Sequence, residues 1–435
     1  MEERIYSITA QKLYECGMEN IPEELVSSKN LVYSSPATLA FNSPGAKGFG
    51  VKRAGLSIPG SVMLLVSPGC CGRNTAMLSE IGEYADRFFY LTMDDTDIVT
   101  GRHLNKIKDA VLEIGDFMET MPTVVMICIT CVDALLGTDM DMVCKKITEK
   151  TGITTLPCYM YALTREGRMP PMVAVRKTIY SLLEPKKKKS TTVNLLGEFS
   201  PFMEDMELYD LLKSIGIKKI NEISRCKNFE EYLDMAEANF NLVLNPECRV
   251  AAEDIRKRLG IPEIELTRVY DIDKIHKQYV LLGSIIGKTL QDEKYYEKTK
   301  NILEEFKNKY NGISIAIGEC LNGCPFEMAL SFTRYGFKVK AIYATVSDEN
   351  YIYIKELAKI SPDTKVYTNL SPTMLYYDGG MDEVDIAIGA DAAYYHSNTA
   401  SVLWNDEKIP FGYAGLNALL GEMKKALEVC DEETA

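Results

Sequence analysis

The sequence predicts an α/β protein made of three Rossmann-like α/β domains, each built on a parallel sheet. Three observations predict this. Short apolar runs rich in β-branched residues alternate with longer amphipathic segments along most of the chain. Those runs are apolar at consecutive positions rather than at every second one, the pattern of strands covered on both faces. The alternation also restarts twice, after the charged linker Pro185-Lys186-Lys187-Lys188-Lys189-Ser190 and after the charged segment Asp292 to Tyr310. The domains are therefore placed at 1–185, 191–310 and 311–435.

Residues 1 to about 60 read as a short helix and irregular connections rich in Ser, Pro and Gly. Ser61 to Val66 reads as the first strand and Phe88 to Thr92 as the second. Leu104 to Met118 reads as a helix, because Leu104, Ile107, Ala110, Val111 and Ile114 share one face. Val124 to Ile127 reads as a buried strand, Val132 to Lys146 as the following helix, and Thr154 to Cys158 as a further strand. The second domain opens with the strand Thr192 to Glu198. The helix Met206 to Ile215 follows, stopped by Gly216. Asn241 to Leu244 is the next strand, and the helix Val250 to Leu259 is stopped by Gly260. In the third domain Ile313 to Ile317, Val339 to Ala344 and Val384 to Gly389 read as strands, and Leu416 to Val429 as a closing helix.

Composition narrows the function. The 435 residues are 46% apolar and 26% charged, values of a soluble globular protein. The net charge of −13 argues against a nucleic-acid groove. Met1-Glu2-Glu3-Arg4 leads into no hydrophobic signal core and no run of 18 apolar residues occurs, so no membrane span and a cytoplasmic location are expected. Twelve cysteines in such a chain point to metal or redox work rather than disulfides, and three histidines argue against a zinc enzyme with imidazole ligands. There is no Gly-x-x-x-x-Gly-Lys-(Ser/Thr) to bind ATP and no Gly-x-Gly-x-x-Gly to recommend a nicotinamide, so any electron source must come from elsewhere.

Two cysteine stations share one layout. Cys128 and Cys131 stand where the Val124 strand ends, with Cys131 near a helix N-terminus that stabilises a thiolate. Cys70 and Cys71 follow the Ser61 strand within Ser67-Pro68-Gly69-Cys70-Cys71-Gly72, where glycines let the backbone approach a ligand. Two strand ends with paired cysteines facing one crevice have the geometry of a metal-cluster site. Ordinary buried cysteines are the competing reading, and simple burial is preferred for Cys158. Other strand ends carry Cys248 with Arg249, Cys320 with Cys324, and Asp391 with Tyr394, Tyr395 and His396. Ligands bind at the carboxyl ends of strands in such sheets. If the domains face one another, these groups converge on a single cavity, with Cys248 and His396 as catalytic candidates and Arg249, Cys320, Cys324 and Asp391 lining it.

The chain resembles the nitrogenase component 1 family. Cys131-Val132-Asp133-Ala134-Leu135-Leu136-Gly137-Thr138-Asp139-Met140 is similar to that family's Cys-x-x-x-(Leu/Ile)-(Leu/Ile)-Gly-Asp-Asp-Ile. Asp97-Ile98-Val99-Thr100-Gly101 through Ile107 resembles its Asp-Ile-Val-Phe-Gly-Gly-x-x-Lys-Leu, and Ser67 to Gly72 its Gly-Pro-x-Gly-Cys. Weaker likeness continues through Ile409-Pro410-Phe411-Gly412-Tyr413-Ala414-Gly415. The resemblance implies three βαβ-type domains and an interface iron–sulfur cluster bound through Cys70 or Cys71 and Cys131, with Cys128 beside it. It also implies a separate ATP-hydrolysing iron–sulfur reductase as partner, and it sets Cys248 where a cofactor-binding cysteine stands. The sequence departs from the family at two places: Phe41 to Gly48 holds no cysteine, and Ile409 to Ala418 holds no histidine. Two thiolates per chain cannot complete a four-iron cubane, whereas a symmetric dimer supplies four. A [4Fe–4S] cluster bridging two copies, or this chain and a related subunit, is therefore expected, with room for a second metallocofactor. The implied activity is that of a nitrogenase-like reductase subunit acting on a small molecule. The alternative is a scaffold on which a nitrogenase-type metallocofactor is assembled.

Overall fold

The structure is a computed structural model. It describes residues 7–26, 54–69, 85–160, 169–369, 383–406 and 410–434, with a few single positions between them. The expected ligands Cys70 and Cys71 lie outside the described residues.

The described chain opens with strand β1 (Ser7–Thr9) and the helix Ala10–Cys16. The first full sheet contains β2 (Ser61–Pro68), β3 (Phe88–Met93), β4 (Val124–Ile129) and β5 (Thr155–Tyr159), all parallel, in the order β3-β2-β4-β5. The second contains β6 (Lys189–Leu196), β7 (Lys219–Asn221), β8 (Ala238–Val243) and β9 (Glu263–Glu265), parallel, in the order β7-β6-β8-β9. The third contains β10 (Ser314–Gly318), β11 (Lys338–Tyr343), β12 (Lys365–Tyr367), β13 (Ile386–Ile388) and β14 (Ala400–Val402). Its order is β1-β12-β11-β10-β13-β14, and β1 alone runs antiparallel. The expected parallel α/β fold is present, with one sheet for each predicted set of strands.

β4 shows why its run is apolar throughout. Val124, Met126 and Cys128 face a core that includes Met63, Leu65, Cys158 and Val175. Val125, Ile127 and Ile129 face another that includes Val62, Leu64, Ile107 and Val111. All six residues are buried, and each side chain so placed contributes roughly 1.5–3 kcal/mol of transfer energy. The first of these cores continues into the second sheet through Leu196, Val243, Cys248 and Ile255.

The chain divides into two compact units. One holds the first and second sheets, residues 54–201 and 217–267; the other holds the third sheet with the N-terminal strand and helix, residues 202–216 and residues 268–434.

Three local expectations change. The single helix expected over Val132 to Lys146 is two, Cys131–Leu136 and Met140–Thr151. Gly137 takes a left-handed conformation (φ 69°) that ends the first, and the Asp139 carboxylate accepts the Met142 N–H to start the second. Cys128 lies within its strand, not beyond it. The lysine run expected as linker already contributes Lys189 to β6.

Candidate functional site

In each sheet the strand order reverses at one place: between β2 and β4, between β6 and β8, and between β10 and β13. The crevices beyond those carboxyl ends are where doubly wound sheets gather ligands. Among the described residues, Cys131, Cys248, Cys320 and Asp391 each follow one of these strands.

At the first crevice Cys131 is partly exposed and opens the helix Cys131–Leu136 directly after β4. Behind it lies a buried polar pair that sequence reasoning did not single out. His103 Nε2 sits 2.8 Å from Asp133 Oδ1, and its Nδ1 sits 3.1 Å from the Asp97 carbonyl. Both partners are acceptors, so both ring nitrogens donate and the imidazole is held as a cation. The Asp133 carboxylate is the main cause, and it raises the His103 pKa. Asp97 in turn receives Arg102 Nε at 2.8 Å and Lys106 Nζ at 2.6 Å, which hold its carboxyl well below the usual range. This chain of charges fixes the Cys131 helix to the segment 95–117. The signal was in the sequence, since Asp97, His103 and Lys106 all belong to the quoted upstream motif.

Three buried polar atoms at this edge have no hydrogen-bond partner: Ser67 Oγ, Thr130 Oγ1 and Asp133 Oδ2. Thr130 stands at the N-cap of the Cys131 helix without making the usual capping bond. Buried donors are rarely left unpaired, and a cluster of them marks a place where another group belongs. A thiol beside two hydroxyl donors suits a soft metal–sulfur group, because thiolate ligates iron and hydroxyls bond to its sulfurs. The residues present therefore fit the implied cluster, and Cys131 is the thiol that would hold it. Among the described residues no group of three or more His, Cys, Asp or Glu is placed to hold a metal ion. Cys128 is fully buried in the core, in register with an equally buried Cys158.

At the second crevice Cys248 closes the turn Pro246–Cys248 that follows β8 and leads into the helix Arg249–Leu259. It is fully buried, and burial pushes its thiol up to about 12. Arg176, only 4% exposed, works in the opposite direction on that thiol. The Arg176 guanidinium donates to the Gly197 carbonyl at 3.1 Å and to Glu247 Oε2 at 2.6 Å, and it stacks on Phe199. Gly197 has φ 130°, and a Cβ there would meet the Asn245 backbone at 2.8 Å, so the two strand-end loops approach as only glycine permits. Arg249 makes two hydrogen bonds of 2.8 Å to Glu265.

The third crevice holds Asp391. Its carboxylate accepts the Glu319 and Cys320 N–H groups at 2.9 and 3.1 Å and the Asn369 amide at 2.6 Å. Gly318 makes room: a Cβ there would stand 1.8 Å from Asp391 Oδ1. Glu319 was not picked out from sequence. It receives Thr345 N–H at 2.8 Å and shares Asn369 with Asp391. Asp391 and Cys320 are thus brought together. Cys324 stands at the N-cap of the helix Pro325–Arg334, its thiol pushed up to about 11 by burial. His396 is carried away from Asp391 by the helix Ala390–Tyr395, which holds Asp391 in its first turn and ends just before His396. It bonds Tyr343 Oη at 2.7 Å and lines a cavity of about 540 Å³ beside Ser314 and Asp385, at the opening end of β10 and β13.

Burial, followed by the charge of Glu319, raises the Asp391 carboxyl from its ordinary 3.8 to about 7. A carboxyl raised on folding binds its proton more tightly in the folded state. The resulting stability is complete below about 3.8 and lost as pH rises through about 7. Asp391→Asn is expected to flatten that part of the curve. Denaturant midpoints across the window should fall less steeply for the variant than for the parent.

The segment near the C-terminus is taken up by packing. Glu207, buried in the helix Glu207–Ser214, accepts Tyr413 N–H at 2.6 Å, Ala414 N–H at 3.0 Å and Tyr279 Oη at 2.7 Å. It therefore caps the closing helix Gly412–Thr434. Gly412, at φ 64°, leaves space for it, since a Cβ would come within 2.0 Å of Glu207 Oε1.

Fold and edge chemistry together define a three-sheet α/β protein with a metal–sulfur-compatible thiol where the first strand order reverses. The chain belongs to the nitrogenase component 1 type oxidoreductase family, whose model matches residues 47–428. Solved nitrogenase Cp1 structures share the fold. The one at pH 6.5 superposes with a TM-score of 0.70 at 17% identity, over 93% of this chain and 94% of that one. The one at pH 5 gives 0.67 at 16% identity, over 97% and 94%. Curated relatives are nitrogenase iron-molybdenum cofactor biosynthesis proteins NifE. The Nostoc protein is 25% identical over 301 residues, 67% of this chain and 61% of its own length. The Rhizobium meliloti protein is 26% identical over 175 residues (39% and 36%), and the Clostridium pasteurianum protein 25% over 231 (50% and 46%). The chain thus spans less than two thirds of the length of these relatives.

Proposed function

We propose that this chain is one component of a scaffold on which a nitrogenase-type metallocofactor is assembled and handed on. The observation that carries this reading is that its curated relatives are cofactor biosynthesis proteins. Two features of the chain support it. Cys248 offers one thiol in a closed core, and no histidine stands in 409–418, where Glu207 caps the closing helix instead. A metal–sulfur cargo tied at one point leaves more readily than one tied at two. The Cys131 edge is read as a separate, permanent iron–sulfur site shared with a second subunit. Leu135 and Leu136, 68% and 51% exposed on the Cys131 helix, give that subunit an apolar contact. The partner is a second copy or a related subunit, and the setting is the cytoplasm.

The test is transfer. Anaerobically purified protein, loaded with iron and sulfide, should deliver them to a cofactor-free acceptor of the same family and should reduce no substrate when given a reductase and ATP. Sustained substrate reduction would instead support a nitrogenase-like reductase subunit. That second reading draws on the nitrogenase fold over 93% of the chain. The chain carries neither an ATP nor a nicotinamide motif, so on this reading electrons would come from a separate protein, which the family resemblance makes an ATP-dependent iron–sulfur reductase.

A further inference from the structure

The orphaned hydroxyls at the first crevice have a definite arrangement. β2 and β4 pair in parallel with Leu65 opposite Cys128 and Val66 opposite Ile129. One rung further, Ser67 stands beside Thr130, on strands about 4.8 Å apart. Side chains alternate along a strand. Ser67 therefore shares a face with Met63 and Leu65, and Thr130 with Met126 and Cys128, all four of which line one core. On the neighbouring strand the backbone N–H of Met160 donates to the Ile129 carbonyl at 2.9 Å, which places Met160 at the same level. The last row of the sheet therefore reads Thr92, Ser67, Thr130, Met160, with Thr92 on the exposed edge strand. Beneath it the row runs Tyr90, Leu65, Cys128, Cys158; the last three pack in one apolar core, and the Tyr90 hydroxyl donates to the Ser67 carbonyl at 3.0 Å.

Two donors thus stand at the rim, immediately before Cys131 in one strand and three residues before Cys70 in the other. Ser67 is 0% exposed and Thr130 2% exposed, and neither hydroxyl meets an acceptor. They are not available to bulk water, and they are not used for capping. Buried hydroxyls are seldom left unpaired, because they lose their water partners without replacement. The acceptor must reach both from the side of Cys131, because the opposite side is closed by the apolar row. A soft or anionic acceptor suits this pair, since the two side chains offer hydrogens and no further ligand.

We propose that Ser67 and Thr130 form a two-hydroxyl clamp that donates hydrogen bonds to sulfur of the metal–sulfur group held through Cys131. The proposal rests on Cys131 being that group's thiolate. Hydrogen bonds to cluster sulfur favour the reduced, more negative state and so raise the reduction potential. These two residues position and tune the group and do not ligate its iron.

The test uses the full chain, anaerobically loaded with iron and sulfide, in wild-type form and as Thr130→Val, Thr130→Ser, Ser67→Ala and Cys131→Ser. Iron content and a redox titration followed by electron paramagnetic resonance are read for each. Thr130→Val and Ser67→Ala should keep wild-type iron while their reduction equilibrium falls about tenfold, ~59 mV for one electron. Thr130→Ser, which keeps the hydroxyl, should restore the wild-type potential. A wild-type potential in Thr130→Val, with iron lost in Cys131→Ser, would overturn the clamp and leave only a trapped water between the hydroxyls. Full iron in Cys131→Ser would overturn the thiolate assignment beneath it, and the clamp with it. If Thr130→Val fails to fold, Ser67→Ala and Thr130→Ser decide between the same outcomes.

Discussion

Cys131→Ser is expected to strip most of the iron from anaerobically purified protein while leaving the fold intact. The thiol is partly exposed and opens its helix, so an isosteric hydroxyl costs little packing. The helix is held from behind by the His103–Asp133 and Asp97 network, which the substitution does not touch. Iron, by contrast, loses a thiolate for which serine is a poor substitute, since soft sulfur is what an iron–sulfur group selects. In a symmetric assembly the loss counts twice, because each chain supplies one such ligand from either side. Metal and acid-labile sulfide analysis alongside the circular dichroism spectrum separates the two effects. A variant that retained its full iron would move the cluster away from this edge altogether. Mass measurement of the native complex would then tell a homodimer from a pair with a related subunit.

How much of this was legible in the sequence depends on which physical signal each feature leaves. β4 was legible because burial on both faces makes every residue apolar, and that mark is local. Cys131 was legible because it follows such a strand. The pairing of β1 with β12 was not, since three residues carry no period and the partner lies more than 350 positions away in sequence. The split of the helix after Leu136 was written in Gly137 and Asp139, but a single glycine also occurs inside helices. Glu319 and Arg176 were missed for another reason: their roles depend on neighbours contributed by distant loops, Thr345 and Asn369 for one, Gly197 and Glu247 for the other. His396 shows the converse. Sequence proximity placed it with Asp391, yet the helical rise from Asp391 to His396 is about 7.5 Å and delivers the two to different ends of the sheet.

Cys248→Ala is expected to abolish handover of the cargo while leaving the iron at the Cys131 edge in place, because the two thiols belong to different sheets. The fold should lose only ~1 kcal/mol, the scale of removing one buried methylene-sized group. The wild-type site carries a specific signature that a packing residue lacks. With the thiol pushed up to about 12 by burial, it is almost wholly protonated at neutral pH, so metal binding must release its proton. Loading through Cys248 should therefore tighten about tenfold for each unit of pH between about 7 and 9, as one proton released per site requires. The alanine variant has no such proton to release and should show no such slope. Loading assays at a series of pH values, scored for iron delivered to an acceptor protein, read both effects together. A variant that handed on its cargo normally and kept the slope would show that Cys248 only fills the core beside Val243 and Ile255. The anchoring thiol would then have to be sought at Cys320, whose backbone N–H already meets Asp391 at the third crevice.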